Sequence, residues 1–270
     1  MPRHPTEMQL HPTRDSVTLD FYSASAPVYV ASGTRGVSRH LPSFLDLLPP
    51  QARILELGCG GGRDAGAMIA AGFDVDPTDG TPEIARKAEE RLGRRVRVMR
   101  FDELDALEVY DAIWASASLL HVPRSSLPQI LALVFKALKP GGLHFASYKG
   151  GGAEGRDRYG RYFNYLSRED VTEAYRRSGP WEVVSVTEYL GGGYDGQQGP
   201  WVAVTVRRPG STVNVAFGSR PCENSNTRAA VYEFQSVFGI SAITGPAERK
   251  NSLQMRRFQT ISEFSHSLDP

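Results

Sequence analysis

Between about residue 41 and residue 206 the apolar positions alternate between short β-branched runs and longer stretches with helical spacing, the pattern of successive βα units. Strands are predicted at 53–57, 73–75, 96–99, 112–115, 143–148, 183–186 and 202–206, and helices at 64–71, 82–92, 128–138 and 168–177. The second helix has Thr81 as N-cap, Pro82 in its first turn, Ile84, Ala88 and Leu92 on one face, and Gly93 as its stop. The fourth opens on Ser167-Arg168-Glu169-Asp170, a variant of the capping box, and stops at Gly179. Pro77 is expected to cut the second strand short.

This alternation predicts an α/β fold: a seven-stranded, mostly parallel sheet with helices on both faces and ligands bound beyond the carboxyl ends of the strands. The last two runs are joined by the glycine-rich 191–196, too short for a crossover helix, so they should form an antiparallel hairpin at the sheet edge. Residues 1–208 are expected to form one domain. Residues 209–270 read as a C-terminal extension with a single helical stretch at 227–238. Its residues from 211 on hold six basic and five acidic side chains, so it is not a polybasic arm.

Composition narrows the function classes. Of 270 residues 40% are hydrophobic and 23% charged, which excludes collagen, coiled coil and wholesale disorder. Thirty-one basic against 30 acidic side chains leave a net charge of +1, so neither nucleic acid nor an anionic membrane is an expected partner. The longest uncharged stretches, 21–34 and 234–247, fall short of the roughly 20 residues that span a bilayer. The amino terminus lacks an export signal, and two cysteines, Cys59 and Cys222, suit a reducing compartment, so the expected location is cytoplasmic. No metal site is expected.

The chemistry is concentrated in Glu56-Leu57-Gly58-Cys59-Gly60-Gly61-Gly62-Arg63, a strand end, a glycine turn and a helix start. Such a turn lets a nucleotide-like ligand lie against the main chain. Asp79, about 20 residues on and followed by Gly80 and Thr81, can accept both hydroxyls of a ribose. A dinucleotide fingerprint requires a third glycine where Arg63 stands. Glu56 would repel a pyrophosphate but can hold an ammonium group.

An acidic residue, one spacer, then G-x-G-x-G resembles the first motif of the class I S-adenosylmethionine-dependent methyltransferases, which have a Rossmann-like fold. The resemblance continues through 79–83, Phe101-Asp102, 110–115 with 119–122, and 138–143, and covers about residues 19–208. The segments 118–123 and 161–165 most resemble the tellurite-resistance-type, small-molecule branch. The resemblance implies that Gly58, Cys59 and Gly60 offer backbone to the methionine portion of S-adenosyl-L-methionine and that Glu56 orders its amino group. It implies that Asp79, with Gly80 and Thr81, holds the ribose, and that Phe101 and Asp102 receive the adenine. Ser116 would lie beside the cofactor and Tyr22 would fold over it. Asp76 is a rival for the ribose.

Methyl transfer from a sulfonium requires an aligned nucleophile, and a base only where the acceptor keeps a proton. His121 is the best-placed base and Tyr148 the next; a structural imidazole at a helix start is the other reading of His121. Arg156, Arg158 and Arg161, with Tyr159, Tyr162 and Tyr165, could clamp an anionic small-molecule acceptor or form a solvated loop face. The alternative function is an NAD(P)-dependent oxidoreductase with a degenerate glycine loop. A non-enzymatic cofactor-binding regulator is a third.

Overall fold

A computed structural model describes residues 13–32 and 36–210. The described elements are α1 (Ser16–Ser32), α2 (Leu41–Leu45), β1 (Arg53–Leu57), α3 (Arg63–Ala70), β2 (Asp74–Asp79), α4 (Pro82–Leu92) and β3 (Arg97–Val98). They continue with β4 (Tyr110–Ala115), α5 (Leu127–Ala137), β5 (Leu138–Lys149), β6 (Gly155–Arg156), β7 (Tyr162–Phe163), α6 (Arg168–Ser178), β8 (Glu182–Gly192) and β9 (Gln198–Arg207). Seven strands form one sheet in the order β3-β2-β1-β4-β5-β9-β8. The first five are parallel, and β9 runs antiparallel to both β5 and β8. The predicted fold class is the observed one. The expected helix at 227–238 lies outside the described residues.

Apolar side chains from alternating strand positions fill two layers. On one face Leu131, Val134, Tyr148, Val171 and Tyr175 pack under α5 and α6. On the other, Phe44 of α2 and Met68 of α3 cover Ile54, Trp114 and Phe145. Trp114 and Phe145 stack with ring centres 4.1 Å apart and are both buried, since removing their large apolar area from water is favourable.

The helix signals read from sequence operate here. Thr81 stands at the N-cap position of α4 without a side-chain capping bond, Gly93 takes the left-handed conformation at its end, and Ser167 with Asp170 forms a reciprocal capping box. One strand expectation fails. β2 runs through Pro77 to Asp79, because β3 pairs only with Thr78 and Asp79 and leaves the edge beside Pro77 open. Three features were not foreseen: α1, the short α2, and the two-residue ribbon of β6 and β7. Helix α1 starts at Asp15, whose carboxylate accepts hydrogen bonds from the amide and hydroxyl of Thr18.

Candidate functional site

The parallel strands end on one rim, and there the β1–α3 turn, the β2–α4 turn and the chain after β4 converge. Between them and α1 lies a cleft of about 90 Å³, lined among others by Tyr22, Tyr29, Gly58, Gly60, Asp79, Gly80, Thr81, Phe101, Ser118 and His121. A larger cavity of about 310 Å³ lies between α2 and the β8–β9 side of the sheet. Its walls are serines, threonines, apolar side chains and His40, with no carboxylate or glycine turn, so the cleft at the strand ends is the candidate site.

The glycine turn is fixed by backbone bonds: the Cys59 amide donates to Thr78 O at 2.8 Å, and the Gly62 amide to Cys59 O at 2.9 Å. Gly58 has φ of +74°, and a Cβ there would stand 2.7 Å from Ser118 Cβ. Glycine is therefore required on conformational and steric grounds. Asp79 locks this turn to the next one, accepting from the Gly60 amide at 3.1 Å and the Thr81 amide at 2.9 Å on different oxygens. Burial raises the Asp79 carboxyl to about 6 against these two bonds and a third from the Thr81 side chain.

Glu56 is 4% exposed, and burial, with Asp64 and Asp79 nearby, pushes its carboxyl well above the usual range. Two buried atoms in this region, Glu56 Oε2 and Ser118 Oγ, have no hydrogen-bond partner among the described residues, whereas Asp102 Oδ1 faces Arg100 Nε at 3.9 Å. Buried polar atoms are normally paired, so the first two mark where ligand donors fit. Asp102 does not line the cleft and accepts from Thr13 Oγ1 at 2.6 Å. Phe101 does line it. The rival acid Asp76 instead accepts from Arg97 at 2.7 Å and from the Tyr110 hydroxyl at 2.6 Å.

The Cys59 side chain packs against Ala85, Ala88 and Val96, away from the cleft lining. Burial raises its thiol well above the ordinary value, which removes any nucleophilic thiolate. Ser116 contacts Ser38 and is not a lining residue; Ala117 turns the chain with a φ of +53°, so that Ala117 and Ser118 line the cleft in its place. Tyr148 is likewise corrected. Strand alternation points it into the α5–α6 layer, where it is fully buried with its hydroxyl 3.4 Å from that of Tyr175, so it does not reach the cleft.

Residues 54–142 match the family described as Methyltransferase domain. The ubiquinone biosynthesis O-methyltransferase of Xanthomonas campestris pv. campestris is 34% identical over 105 residues, covering 36% of this chain and 43% of the relative. The chain thus spans less than half the length of that curated relative. The 1,6-didemethyltoxoflavin-N1-methyltransferase of Burkholderia thailandensis, solved with its toxoflavin precursor and S-adenosylhomocysteine bound, is 20% identical. It superposes with a TM-score of 0.58 over 76% of this chain and 98% of its own. A TehB-like S-adenosylmethionine-dependent methyltransferase of Corynebacterium glutamicum is 19% identical, with a TM-score of 0.53 over 72% and 100%. Residues 54–142 are thus similar to a methyltransferase domain, and the chain shares the fold of these solved structures.

On the far side of this cleft, His121 is held at both ring nitrogens. Its Nδ1 lies 2.6 Å from Tyr162 O and its Nε2 2.8 Å from the Tyr22 hydroxyl. Burial lowers its pKa to about 4, with the cations of Arg161 and Lys149 acting in the same direction, so the ring is neutral. Of the three arginines only Arg161 reaches this site. It is 2% exposed, donates to Tyr22 Oη at 3.0 Å, and is paired with Asp157 at 2.6 Å. Arg156 binds Asp15 at the start of α1, and Arg158 lies over the Tyr159 ring. Tyr162 donates to Glu154, and Tyr165 stacks on Phe163.

Sequence reasoning missed Thr18, Leu19, Tyr29 and Ile84 as lining residues. Thr18, Leu19 and Tyr29 belong to α1, whose sequence shows almost no apolar stripe. The spacing of Asp15 and Thr18 was the available signal, an N-cap acid three residues ahead of its amide partner.

Proposed function

We propose that this chain is an S-adenosylmethionine-dependent methyltransferase acting on a small molecule. The observation that carries the reading is the pair of unpartnered buried oxygens, Glu56 Oε2 and Ser118 Oγ, beside a glycine turn locked by Asp79. Carboxylates at 56, 79 and 102 call for donors: an ammonium group, ribose hydroxyls and an exocyclic amine. Asp79 accepts two amides and the Thr81 side chain, and would offer its remaining acceptor capacity to the ribose hydroxyls. Glu56 would hold the ammonium, Phe101 and Asp102 the adenine, and Gly58 and Gly60 the methionine portion.

When bound, the cofactor supplies a methyl group on a positively charged sulfur, which makes that carbon electrophilic. The protein's part is to hold donor and acceptor in line and exclude water, and α1 closes the cleft on that side. A diphosphate would stand against Glu56, Asp64 and Asp79, which disfavours the dinucleotide alternative. The small-molecule acceptor is supported by the relatives, whose names refer to ubiquinone biosynthesis and to a toxoflavin precursor. The test is transfer of label from methyl-labelled cofactor into a small-molecule fraction. Incorporation that depends on Asp79 supports the reading, and label confined to protein or nucleic acid contradicts it.

A pH dependence follows from Asp79. Burial raises this acid, so its ionised form is lost as pH falls through about 6. Binding that needs the carboxylate weakens with the ionised fraction, which is about 97% at pH 7.5 and about 24% at pH 5.5 for a pKa near 6. Calorimetry with S-adenosylhomocysteine should give an affinity about fourfold lower at pH 5.5. An affinity that rises with acidification would contradict the ribose assignment.

A further inference from the structure

The hydroxyl of Tyr22 sits at the centre of a hydrogen-bond chain whose direction follows from the donor inventory. Arginine can only donate, so Tyr22 Oη accepts from Arg161 at 3.0 Å. Tyr162 O can only accept, so His121 carries its proton on Nδ1. His121 Nε2 is then an acceptor, and the single proton of Tyr22 points to it across 2.8 Å. Both ring nitrogens of His121 are thereby occupied, and the imidazole has no lone pair free for a substrate. Tyr22, which lines the cleft, has a second lone pair, and the Tyr29 ring stands edge-on to its own with centres 4.9 Å apart.

We propose that Tyr22 is the residue that takes the proton from the methyl acceptor, with His121 behind it as the final proton holder and Arg161 as the residue that positions it. This rests on the methyl-transfer reading above. An acceptor X–H donates to the free lone pair of Tyr22. The X–H bond breaks as a new O–H bond forms on Tyr22, and Tyr22's original proton passes to His121 Nε2. The electron pair left on X forms the bond to the methyl carbon. The sulfonium becomes a neutral thioether as the proton makes His121 cationic, so the buried site keeps its net charge.

The surroundings hold Tyr22 for this role. Arg161 is kept in place by Asp157 and lies within 5.1–5.6 Å of the ring centres of Phe21, Tyr22, Tyr159, Phe163 and Tyr194. The charged groups facing His121 are Arg161, Asp157 and Lys149. The geometry selects an acceptor that carries a dissociable proton on its nucleophilic atom, such as a phenol or an enol, over one that is already an anion.

The test uses the full chain with ring-15N-labelled histidine and bound S-adenosylhomocysteine. The expected spectrum has His121 protonated at Nδ1, with a hydrogen-bonded Nε2 that becomes an unbonded nitrogen in Tyr22→Phe. Labelled-methyl transfer into a small-molecule extract should fall at least 100-fold in Tyr22→Phe, with S-adenosylhomocysteine affinity within about threefold because the ring is retained. A His121 protonated at Nε2, or a Tyr22→Phe rate within threefold of the parent, overturns the proposal. Failure of the parent chain to bind S-adenosylhomocysteine would overturn the methyl-transfer reading itself, a result distinct from the histidine spectrum.

Discussion

Asp157→Ala should lower the unfolding free energy by about 3–5 kcal/mol, the range found when one partner of a buried ion pair is removed. The pair is among the most secluded charges described: the side chains of Arg161 and Asp157 are 2% and 5% exposed. Asp157 accepts from Arg161 Nη2 at 2.6 Å and Nε at 3.0 Å, and its other oxygen accepts the amides of Tyr159 and Arg161. Without it a guanidinium is left among five aromatic rings. Their faces attract a cation by about 0.5–2 kcal/mol each but take no strong N–H bond, so they offset only part of the loss. For a domain of this size the change corresponds to a fall in Tm of roughly 10 °C. Thermal denaturation of both forms checks it, and a loss under about 1 kcal/mol would mean that the pair is hydrated.

The second large effect falls on the cofactor turn. Gly58→Val places a branched side chain where φ is +74°, a conformation that costs an L-residue about 1–2 kcal/mol, and its Cβ would lie 2.7 Å from Ser118 Cβ. Neither chain can retreat freely. Gly58 is followed by the Cys59–Thr78 bond, and Ser118 by the turn that carries Leu119 and Leu120 into the core. Relief must come from separating the β1–α3 turn from the β4 end, which opens the floor of the cleft. S-adenosylhomocysteine binding should fall by at least 100-fold while the far-ultraviolet dichroism keeps its α/β form. Gly58→Ala combined with Ser118→Gly should recover part of the affinity, because the clash is removed and only the backbone cost remains. Equal affinity in Gly58→Ala with and without Ser118→Gly would contradict the steric account.

The sheet was legible because most of its parallel strands lead into a helix, two of which carry local chemistry at their ends: Thr81, Pro82 and Gly93 around α4, and Ser167 with Asp170 before α6. The glycine turn was legible for the same reason, since Gly58, Gly60 and Gly62 all adopt positive φ. What escaped depends on contacts distant in sequence. Helix α1 packs over the cleft with aromatic and hydroxyl side chains rather than an apolar stripe, and is held by Arg156 on Asp15 and by the Tyr162 amide on Thr18. Tyr148 was placed at the correct strand end but on the wrong face, because the pleat phase of β5 is set by its long pairing with β9. Ser116 was displaced by two residues through the single left-handed turn at Ala117. Arg161 stood in a cluster whose three members were indistinguishable in sequence; burial beside Asp157 separates it from the other two.

The central claim is that the strand-end cleft receives an aminoacyl sulfonium nucleoside. Isothermal titration of the full chain at pH 7.5 with S-adenosylhomocysteine and, separately, with NADH tests it most directly. Saturable heat with the first ligand, lost in Asp79→Ala, and none with the second is the predicted result; binding of NADH in preference would contradict it.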